Sequence, residues 1–264
     1  VTHRSTESAA QGLFDITGQS ALVTGSSRGL GRQLALALAG AGAEVTLHGR
    51  DATALEDARA EVESVSGRPA HSVSFDVTDS DQVRASLDRL VEERGTPDIL
   101  VNNAGLQRRG PFQEFATQDW DDIVSSNLSS VFYVSRALVP GMIQRGSGKI
   151  INIGSVQSML ARETIAPYSA TKGAVAQLTK GMAADMARHG IQVNTISPGY
   201  FATDMNRALV ADEDFNTWVC QRTPAGRWGS LDELAGALLF FSSPASSFVS
   251  GQNLFVDGGM TSVV

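Results

Sequence analysis

The sequence predicts an α/β fold: one doubly wound domain on a parallel sheet of about seven strands, with helices on both faces. Three observations predict it. Short apolar runs alternate with longer stretches of helical periodicity along the 264 residues. The apolar runs are continuous rather than alternating, as expected when helices cover both faces of a sheet. With 42% apolar and 19% charged residues, the chain can bury a large core, and no Pro/Ser-rich linker, internal repeat or low-complexity tract divides it.

The elements follow in order. Residues 21–23 read as the first buried strand and run into a glycine turn. A helix over 30–41 puts Leu34, Leu38 and Ala41 on one stripe and is closed by Gly42. Residues 44–47 are the second strand, a helix over 53–65 stops at Gly67, and 72–75 are the third strand. A helix over 80–93 leads to the fourth strand at 99–101. A long helical region covers 120–144, and Pro140 is expected to bend or break it. The fifth strand is 150–153, a second long helix runs over 167–188, and the sixth strand is 193–196. A helix over 231–241 precedes the last strand at 254–256. Residues 1–12 are polar and are expected to form a flexible arm, leaving 13–264 as the domain.

Composition excludes several function classes. The net charge is −7, and no basic stripe offers itself to nucleic acid. No apolar run approaches the roughly 20 residues that span a bilayer, and the polar start lacks the apolar stretch of a signal peptide. The single cysteine, Cys220, has no intrachain partner and reads as a packed thiol, which fits a cytoplasmic location. The 26 glycines exceed the usual share, and several fall where strands should turn into helices, a pattern suited to loops that approach a ligand closely.

The first of these turns reads Thr24-Gly25-Ser26-Ser27-Arg28-Gly29-Leu30-Gly31. It follows a strand and opens a helix, the context a dinucleotide site requires. Gly25 would permit the tight turn, Gly29 close approach of the backbone to a pyrophosphate, and Gly31 packing of helix on strand. Ser27, Arg28 and Leu30 complete a helix N-terminus whose unpaired N–H groups attract phosphate. The spacing is G-x-x-x-G-x-G, and a purely structural turn stays open as an alternative. An acid at the end of the second strand would bind the ribose 2′-hydroxyl of NAD. Here that strand ends Leu47-His48-Gly49-Arg50, and the first acid is Asp51. Arg50 suits a 2′-phosphate, with Arg28 as a second candidate, so NADP is the expected cofactor and NAD a possible one. The other reading of Arg50 is a solvated loop residue. Asp76, after the third strand, is read from the residues alone as a possible cap of the helix near Ser80.

Ser155 follows the fifth strand, at the sheet edge where such folds bind ligands. Tyr168 and Lys172, in Tyr-Ser-Ala-Thr-Lys, share one face of a helix. Asn127 lies within the long helical region. Alcohol oxidation needs a base for the hydroxyl proton as hydride leaves carbon, and a free phenol has a pKa near 10. At about 4 Å and an effective dielectric of about 20, an ammonium would favour the phenolate by roughly 4 kcal/mol, on the order of three pKa units. Half of that would bring Tyr168 toward the useful range. Singly, each residue has a plain structural reading: a surface Tyr/Lys pair, a helix-capping Ser, a solvent-facing Asn.

Together, these residues and Asn102-Asn103-Ala104-Gly105 resemble the short-chain dehydrogenase/reductase family, over nearly the whole chain from about Leu13. The resemblance implies a Rossmann fold and a catalytic tetrad of Asn127, Ser155, Tyr168 and Lys172. It implies that Ser155 holds the substrate oxygen, Lys172 also grips the nicotinamide ribose, and Asn127 holds a water that passes protons toward Lys172. It puts Asn103, Ala104 and Gly105 beside the adenosine, Asp76 and Val77 at the adenine, and Pro198, Gly199 and Thr203 on the nicotinamide side. Residues 200–222 resemble a mobile substrate flap. Family members commonly form homotetramers through the two long helices and the C-terminal strands, and the small, apolar faces of 166–187 allow it.

The loop Asn102 to Phe115, Gln157-Ser158, Arg162-Glu163-Thr164, Arg222 to Ala225, Arg227-Trp228-Gly229 and the ending Leu254 to Met260 resemble the bacterial gluconate 5-dehydrogenase branch of that family. The substrate this implies is a sugar acid, D-gluconate or 5-keto-D-gluconate. Capturing its carboxylate on an acidic protein needs local cations, and Arg108, Arg109 and Arg162 fall on loops at the carboxyl ends of strands. Arg109 is the expected carboxylate anchor, with Arg162 beside it and Gln157, Ser155 and Tyr168 on the hydroxyl and carbonyl oxygens. Three alternatives stay open: a 3-oxoacyl thioester or neutral polyol as substrate, surface or interface ion pairs as the role of the arginines, and a non-enzymatic NADP sensor, which would be expected to lose the tetrad. No metal is implied.

Overall fold

The computed structural model describes residues 12–202 and 206–264, so the expected arm, apart from Gly12, and Thr203 lie outside the described residues. Seven parallel strands form one sheet in the order β3-β2-β1-β4-β5-β6-β7. They are β1 (Ser20–Val23), β2 (Glu44–His48), β3 (His71–Val73), β4 (Ile99–Asn102), β5 (Gly148–Ile153), β6 (Ile191–Pro198) and β7 (Asn253–Val256). The helices between them are α1 (Gly29–Gly40), α2 (Ala52–Ser66), α3 (Ser80–Arg94), α4 (Thr117–Val124), α5 (Ser130–Arg145), α6 (Ala166–Met186), α7 (Arg207–Val210), α8 (Glu213–Arg222) and α9 (Ala235–Ser242).

Successive strand residues serve opposite cores, which is why the strands read as unbroken apolar runs. Val23, Val101 and Ile151 pack on one face with Leu34 and Leu38 of α1 and Leu238 and Phe241 of α9. Leu22, Leu100 and Ile150 pack on the other with Leu87 of α3 and Val134, Leu138 and Met142 of α5. Burying each such side chain stabilises the fold by roughly 1.5–3 kcal/mol relative to leaving it in water. The strand order reverses between β1 and β4, which opens a crevice at their carboxyl ends. The glycine turn, the Asn102–Gly105 segment and Ser155 all leave strands at that edge.

The structure corrects several expected boundaries. Pro140 does not break its helix: it sits inside α5 on the exposed side, where the carbonyl its ring releases is open to water. The interruption comes earlier, as a π-turn over Ser125–Ser129 that carries Asn127. The third strand lies at His71–Val73, and the sixth runs through Ser197 and Pro198 rather than ending before them.

Candidate active site

The turn from β1 into α1 is shaped by sterics. Gly25 and Gly29 have φ of +63° and +57°, where a side chain would be strained. At Gly31 a Cβ would collide with the Gly25 carbonyl oxygen and Asn103 Nδ2, so any side chain would break the turn. Helix α1 opens with no side-chain cap at Arg28 and no acid in its first turn. Its first N–H groups therefore lack both intrahelical and side-chain acceptors, and the positive end of the helix dipole points out of the turn. This donor set fits the pyrophosphate of a dinucleotide.

The Asn102–Gly105 segment fastens that turn. Thr24 Oγ1 accepts from the backbone N–H groups of Asn103 and Ala104, both at 3.0 Å. Asn103 Nδ2 donates to the carbonyls of Thr24 (2.9 Å) and Gly25 (3.0 Å). Asn102 faces the interior, donating to Asn152 Oδ1 at 2.8 Å and Ser135 Oγ at 3.0 Å, and Asn152 in turn donates to Thr179 Oγ1 at 2.8 Å. This buried polar chain locks β4 and β5 to α5 and α6 under the crevice.

The acids near the second and third strands sort themselves. Asp51 caps α2 by accepting from the N–H groups of Thr53 and Ala54, both at 3.1 Å, so its carboxylate is committed away from a ribose. Asp76 is not a helix cap. That role belongs to Asp79, which accepts from the N–H groups of Asp81 and Gln82. Asp76 accepts from Thr78 N (2.9 Å) and Thr78 Oγ1 (2.7 Å) and pairs with Arg50 Nη1 at 3.2 Å. Arg50 is thus an exposed side chain resting on Asp76, and Arg28 is exposed with no ion pair among the described residues. The Val77 side chain belongs to the core, leaving only its backbone for a ligand. On the nicotinamide side, Gly199 N–H donates to the Val256 carbonyl at 3.0 Å, and a Cβ there would lie 2.8 Å from Asp257 Cα. Pro198 closes β6 just before it.

The four tetrad residues converge. Ser155 leaves β5 and accepts from Gln157 N–H at 3.2 Å, so it caps the turn that follows while also hydrogen-bonding Tyr168. Tyr168 and Lys172 lie in the first turns of α6. Lys172 is buried, sits 5.7 Å from the Tyr168 ring centroid and donates from Nζ to the Ile153 carbonyl at 2.7 Å. Burial pushes its pKa down to about 8. The same burial pushes the Tyr168 phenol above its ordinary value, and a hydrogen bond with Ser155 works against that rise. This is opposite to the expected direction: the amine is bonded to the Ile153 carbonyl, and desolvation makes a bare phenolate costly. The Asn127 side chain is also more committed than expected. Its Oδ1 accepts from Leu106 N–H at 2.8 Å and its Nδ2 donates to the Leu106 carbonyl at 2.9 Å, with Thr171 Oγ1 at 3.4 Å. It therefore ties the loop after β4 to the helix that carries Tyr168 and Lys172.

The two loops expected to meet a substrate are joined through backbone. Gly110 N–H donates to the Thr164 carbonyl at 3.0 Å, and Thr164 is the one non-glycine residue with positive φ (+68°) among the described residues. Arg108 is taken up by Asp119 at 3.4 Å, but neither Arg109 nor Arg162 has a carboxylate partner among the described residues. The pKa of Arg109 is pushed below its ordinary value, first by burial and then by the charge of Arg162. Arg162 lays its guanidinium 5.1 Å from the Phe215 ring centroid, while its Nε is buried without a hydrogen-bond partner. The Oε1 of buried Gln157 is equally unpartnered.

Sequence reasoning placed Tyr200, Phe215 and Trp218 in the flap but did not foresee the aromatic wall they form with Trp228. Tyr200 stacks edge-on against Phe215 (5.8 Å), Trp218 (5.7 Å) and Trp228 (5.7 Å). Burial raises the Tyr200 pKa, and the charges of Arg162 and Arg109 oppose the rise. The (i, i+3) pair Phe215 and Trp218 on α8 was the available signal; its docking onto Tyr200 is a long-range contact that spacing does not carry. His48 was likewise missed, and the only hint was a polar residue closing an apolar strand.

Comparison with known proteins places this geometry. Residues 25–261 match the family model described as enoyl-(acyl carrier protein) reductase. The chain is 57% identical over 249 residues to gluconate 5-dehydrogenase of Gluconobacter oxydans, covering 94% of this chain and 97% of that protein. It is 50% identical over 250 residues to 5-keto-D-gluconate 5-reductase of Escherichia coli, again covering 94% and 97%. Among solved structures, a gluconate 5-dehydrogenase from Burkholderia cenocepacia in complex with NADP and tartrate superposes with a TM-score of 0.93 at 53% identity, covering 97% of this chain and 100% of that one. Sheet order, glycine turn, tetrad and these likenesses agree: the chain belongs to the short-chain dehydrogenase/reductase family of oxidoreductases.

Proposed function

We propose that this protein is an NADP-dependent oxidoreductase that interconverts D-gluconate and 5-keto-D-gluconate, with Tyr168 as the acid/base. The observation that carries the reading is the pair Arg109 and Arg162: two guanidinium groups near one another, without a carboxylate partner among the described residues, on the Tyr200 side of Tyr168. Like charges held together at the cost of desolvation call for an anion between them. A sugar acid supplies one, and the Gluconobacter and E. coli relatives carry names for that chemistry. The Burkholderia relative binds NADP and tartrate, a cofactor and a hydroxy acid of the matching kinds.

Bound nicotinamide supplies the hydride in reduction and accepts it in oxidation. The remaining work falls to the chain. Ser155 Oγ and Tyr168 Oη hold the reacting oxygen. In reduction Tyr168 donates its proton to that oxygen as it becomes an alkoxide, and in oxidation the phenolate takes the alcohol proton. With a pKa of about 8, Lys172 carries a charge near neutrality and offsets the negative charge on the phenolate. It also holds the nicotinamide ribose, while Asn127 positions the loop after β4 and a proton-carrying water. Ser27, Arg28, Gly29 and Leu30 cradle the pyrophosphate, Asp76 and Asn103 to Gly105 line the adenosine, and Arg50 grips the 2′-phosphate. Arg162, shielded by Phe215, shares the substrate carboxylate with Arg109, and Gln157 Oε1 accepts from a substrate hydroxyl. Residues 200–202 and 206–222 form the flap over this site.

We also propose a homotetramer. Trp120 and Phe132 are 44% and 48% exposed on α4 and α5, and Phe248 and Leu254 near β7 are 101% and 38% exposed, so two separate faces carry large apolar side chains. Sedimentation equilibrium should return four chains per particle. Among the described residues no helix is long and apolar enough to cross a membrane, and the expected site of action is the cytoplasm.

The activity test mixes the purified protein with NADPH or NADH and a panel of 5-keto-D-gluconate, 2-keto-D-gluconate, fructose and an acetoacetyl thioester. The reading expects fastest loss of NADPH absorbance with 5-keto-D-gluconate. Turnover of the thioester without turnover of the keto acid would overturn it.

A further inference from the structure

The peptide group joining Thr24 to Gly25 is pinned at both ends. Its carbonyl, on Thr24, accepts from Asn103 Nδ2 at 2.9 Å. Its N–H, on Gly25, donates to His48 Nδ1 at 3.0 Å. The imidazole is 3% exposed, leans on the Phe75 ring at a centroid distance of 4.1 Å, and meets the Phe75 carbonyl through Nε2 at 3.0 Å. A neutral imidazole has one donor and one acceptor. The carbonyl demands the proton on Nε2, which leaves Nδ1 bare for the Gly25 N–H, so one tautomer serves both contacts. The His48 backbone adds a second tie. Ser26 N–H donates to the His48 carbonyl at 2.9 Å, and His48 N–H donates to Ser26 Oγ at 2.9 Å.

From this geometry we infer that His48 is a positioning residue for cofactor binding: its imidazole fixes the Thr24–Gly25 peptide plane and so sets the angle at which the glycine turn presents its N–H groups. Gly25 has no Cβ and a φ of +63°, so its peptide would otherwise rotate easily. Turning it would move Gly29 and Leu30, whose amides must point outward together to bind an anion. His48 touches neither cofactor nor substrate and acts through the backbone alone. The inference rests on the reading of this turn as the pyrophosphate seat.

The test uses two substitutions that divide the imidazole. In His48→Asn the amide oxygen takes the place of Nδ1 and can accept from Gly25, while the link to Phe75 is lost. In His48→Gln the longer amide reaches Phe75, and Gly25 loses its acceptor. NADPH affinity is measured by fluorescence titration of the full chain, with kcat and the Michaelis constants for NADPH and 5-keto-D-gluconate alongside. His48→Asn is expected to bind NADPH within about threefold of wild type, and His48→Gln about tenfold more weakly, the effect of one buried N–H left unpaired. The kcat at saturating NADPH and the Michaelis constant for the keto acid should stay near wild type in both. Equal binding by both variants, or weaker binding by the Asn variant than the Gln variant, overturns the inference. So does a lowered melting temperature in the Gln variant with unchanged NADPH affinity, which would make His48 merely structural. If wild type itself binds no NADPH, the reading of the turn fails, and that result is distinct from a failure confined to the variants.

Discussion

The two halves of the crevice are finished to different degrees. On the cofactor side nearly every polar group has a partner inside the chain: Asn103 on Thr24 and Gly25, His48 on Gly25 and Phe75, Asp76 on Thr78 and Arg50, Asp51 on α2. Among the described residues, the outward-facing N–H groups of the turn and the exposed Arg28 wait for a ligand there, and one buried oxygen, Asn102 Oδ1, has no partner. On the substrate side the unmet groups are buried: Arg162 Nε and Gln157 Oε1, with Arg109 and Arg162 as close like charges. Leaving such groups unpaired costs on the order of 1–3 kcal/mol each. The contrast teaches that the side of the glycine turn is satisfied within the chain. The side of Arg109, Arg162 and Gln157 instead holds a deficit that the proposed anionic, hydroxylated substrate would remove.

The largest effect expected within this contrast comes at the junction of the halves. Tyr168→Phe should lower kcat by about 10²–10⁴-fold, the usual contribution of a positioned acid/base, while NADPH affinity by titration stays near wild type. A loss of affinity equal to the loss of rate would mean that Tyr168 belongs to the cofactor seat instead. Next in size is cofactor choice. Arg50→Ala should weaken NADPH by about tenfold with little change for NADH, because a charge-assisted contact to the 2′-phosphate is lost. Parallel titrations read this directly, and an unchanged NADPH/NADH ratio would leave Arg50 as a partner of Asp76 only.

The ionisable groups give pH effects. Because the Tyr168 phenol lies above its ordinary value, gluconate oxidation, which needs the phenolate, should speed by about tenfold per pH unit from about pH 7 to about pH 9. Reduction, which needs the protonated phenol, should not share that rise. Initial rates in both directions across this range check it. The smallest effect is on stability. Burial lowers the His48 pKa from 6.5 to about 4; the hydrogen bond to Phe75 and the charge of Asp76 oppose the shift, and the charge of Arg50 adds to it. The unfolded chain then binds the extra proton first. Stability is full above about pH 6.5 and is lost as pH falls toward about 4, by roughly 1 kcal/mol near pH 5.5. A melting temperature a few degrees lower at that pH in wild type, with a smaller drop in His48→Asn, is the expected result.

The same contrast separates what could be read from the sequence. The strands were legible because burial on two faces leaves an unbroken apolar run. The glycine turn was legible because positive φ and close approach admit glycine there, and the meeting of Tyr168 and Lys172 because residues four apart share a helix face. Boundaries failed where neighbours decide them. Pro140 looked like a break because exposure is not written in the sequence, and the π-turn around Asn127 has no spacing signature. Asp76 looked like a possible cap until Asp79 took that place. The substrate wall of Tyr200, Phe215, Trp218 and Trp228 was hidden because separate segments meet only in the fold. His48 was hidden for the same reason, since its partners lie on two other strand ends.

Arg109 and Arg162, without carboxylate partners among the described residues, are proposed to select a carboxylate on the substrate side. The most direct test compares kcat/KM for 5-keto-D-gluconate and for fructose, an uncharged ketose, in wild type and in Arg162→Ala. The expected result is a loss of about tenfold or more for the keto acid, the worth of a hydrogen-bonded charge pair, with fructose turnover nearly unchanged. An equal loss on both substrates, or none on the acid, would contradict the claim.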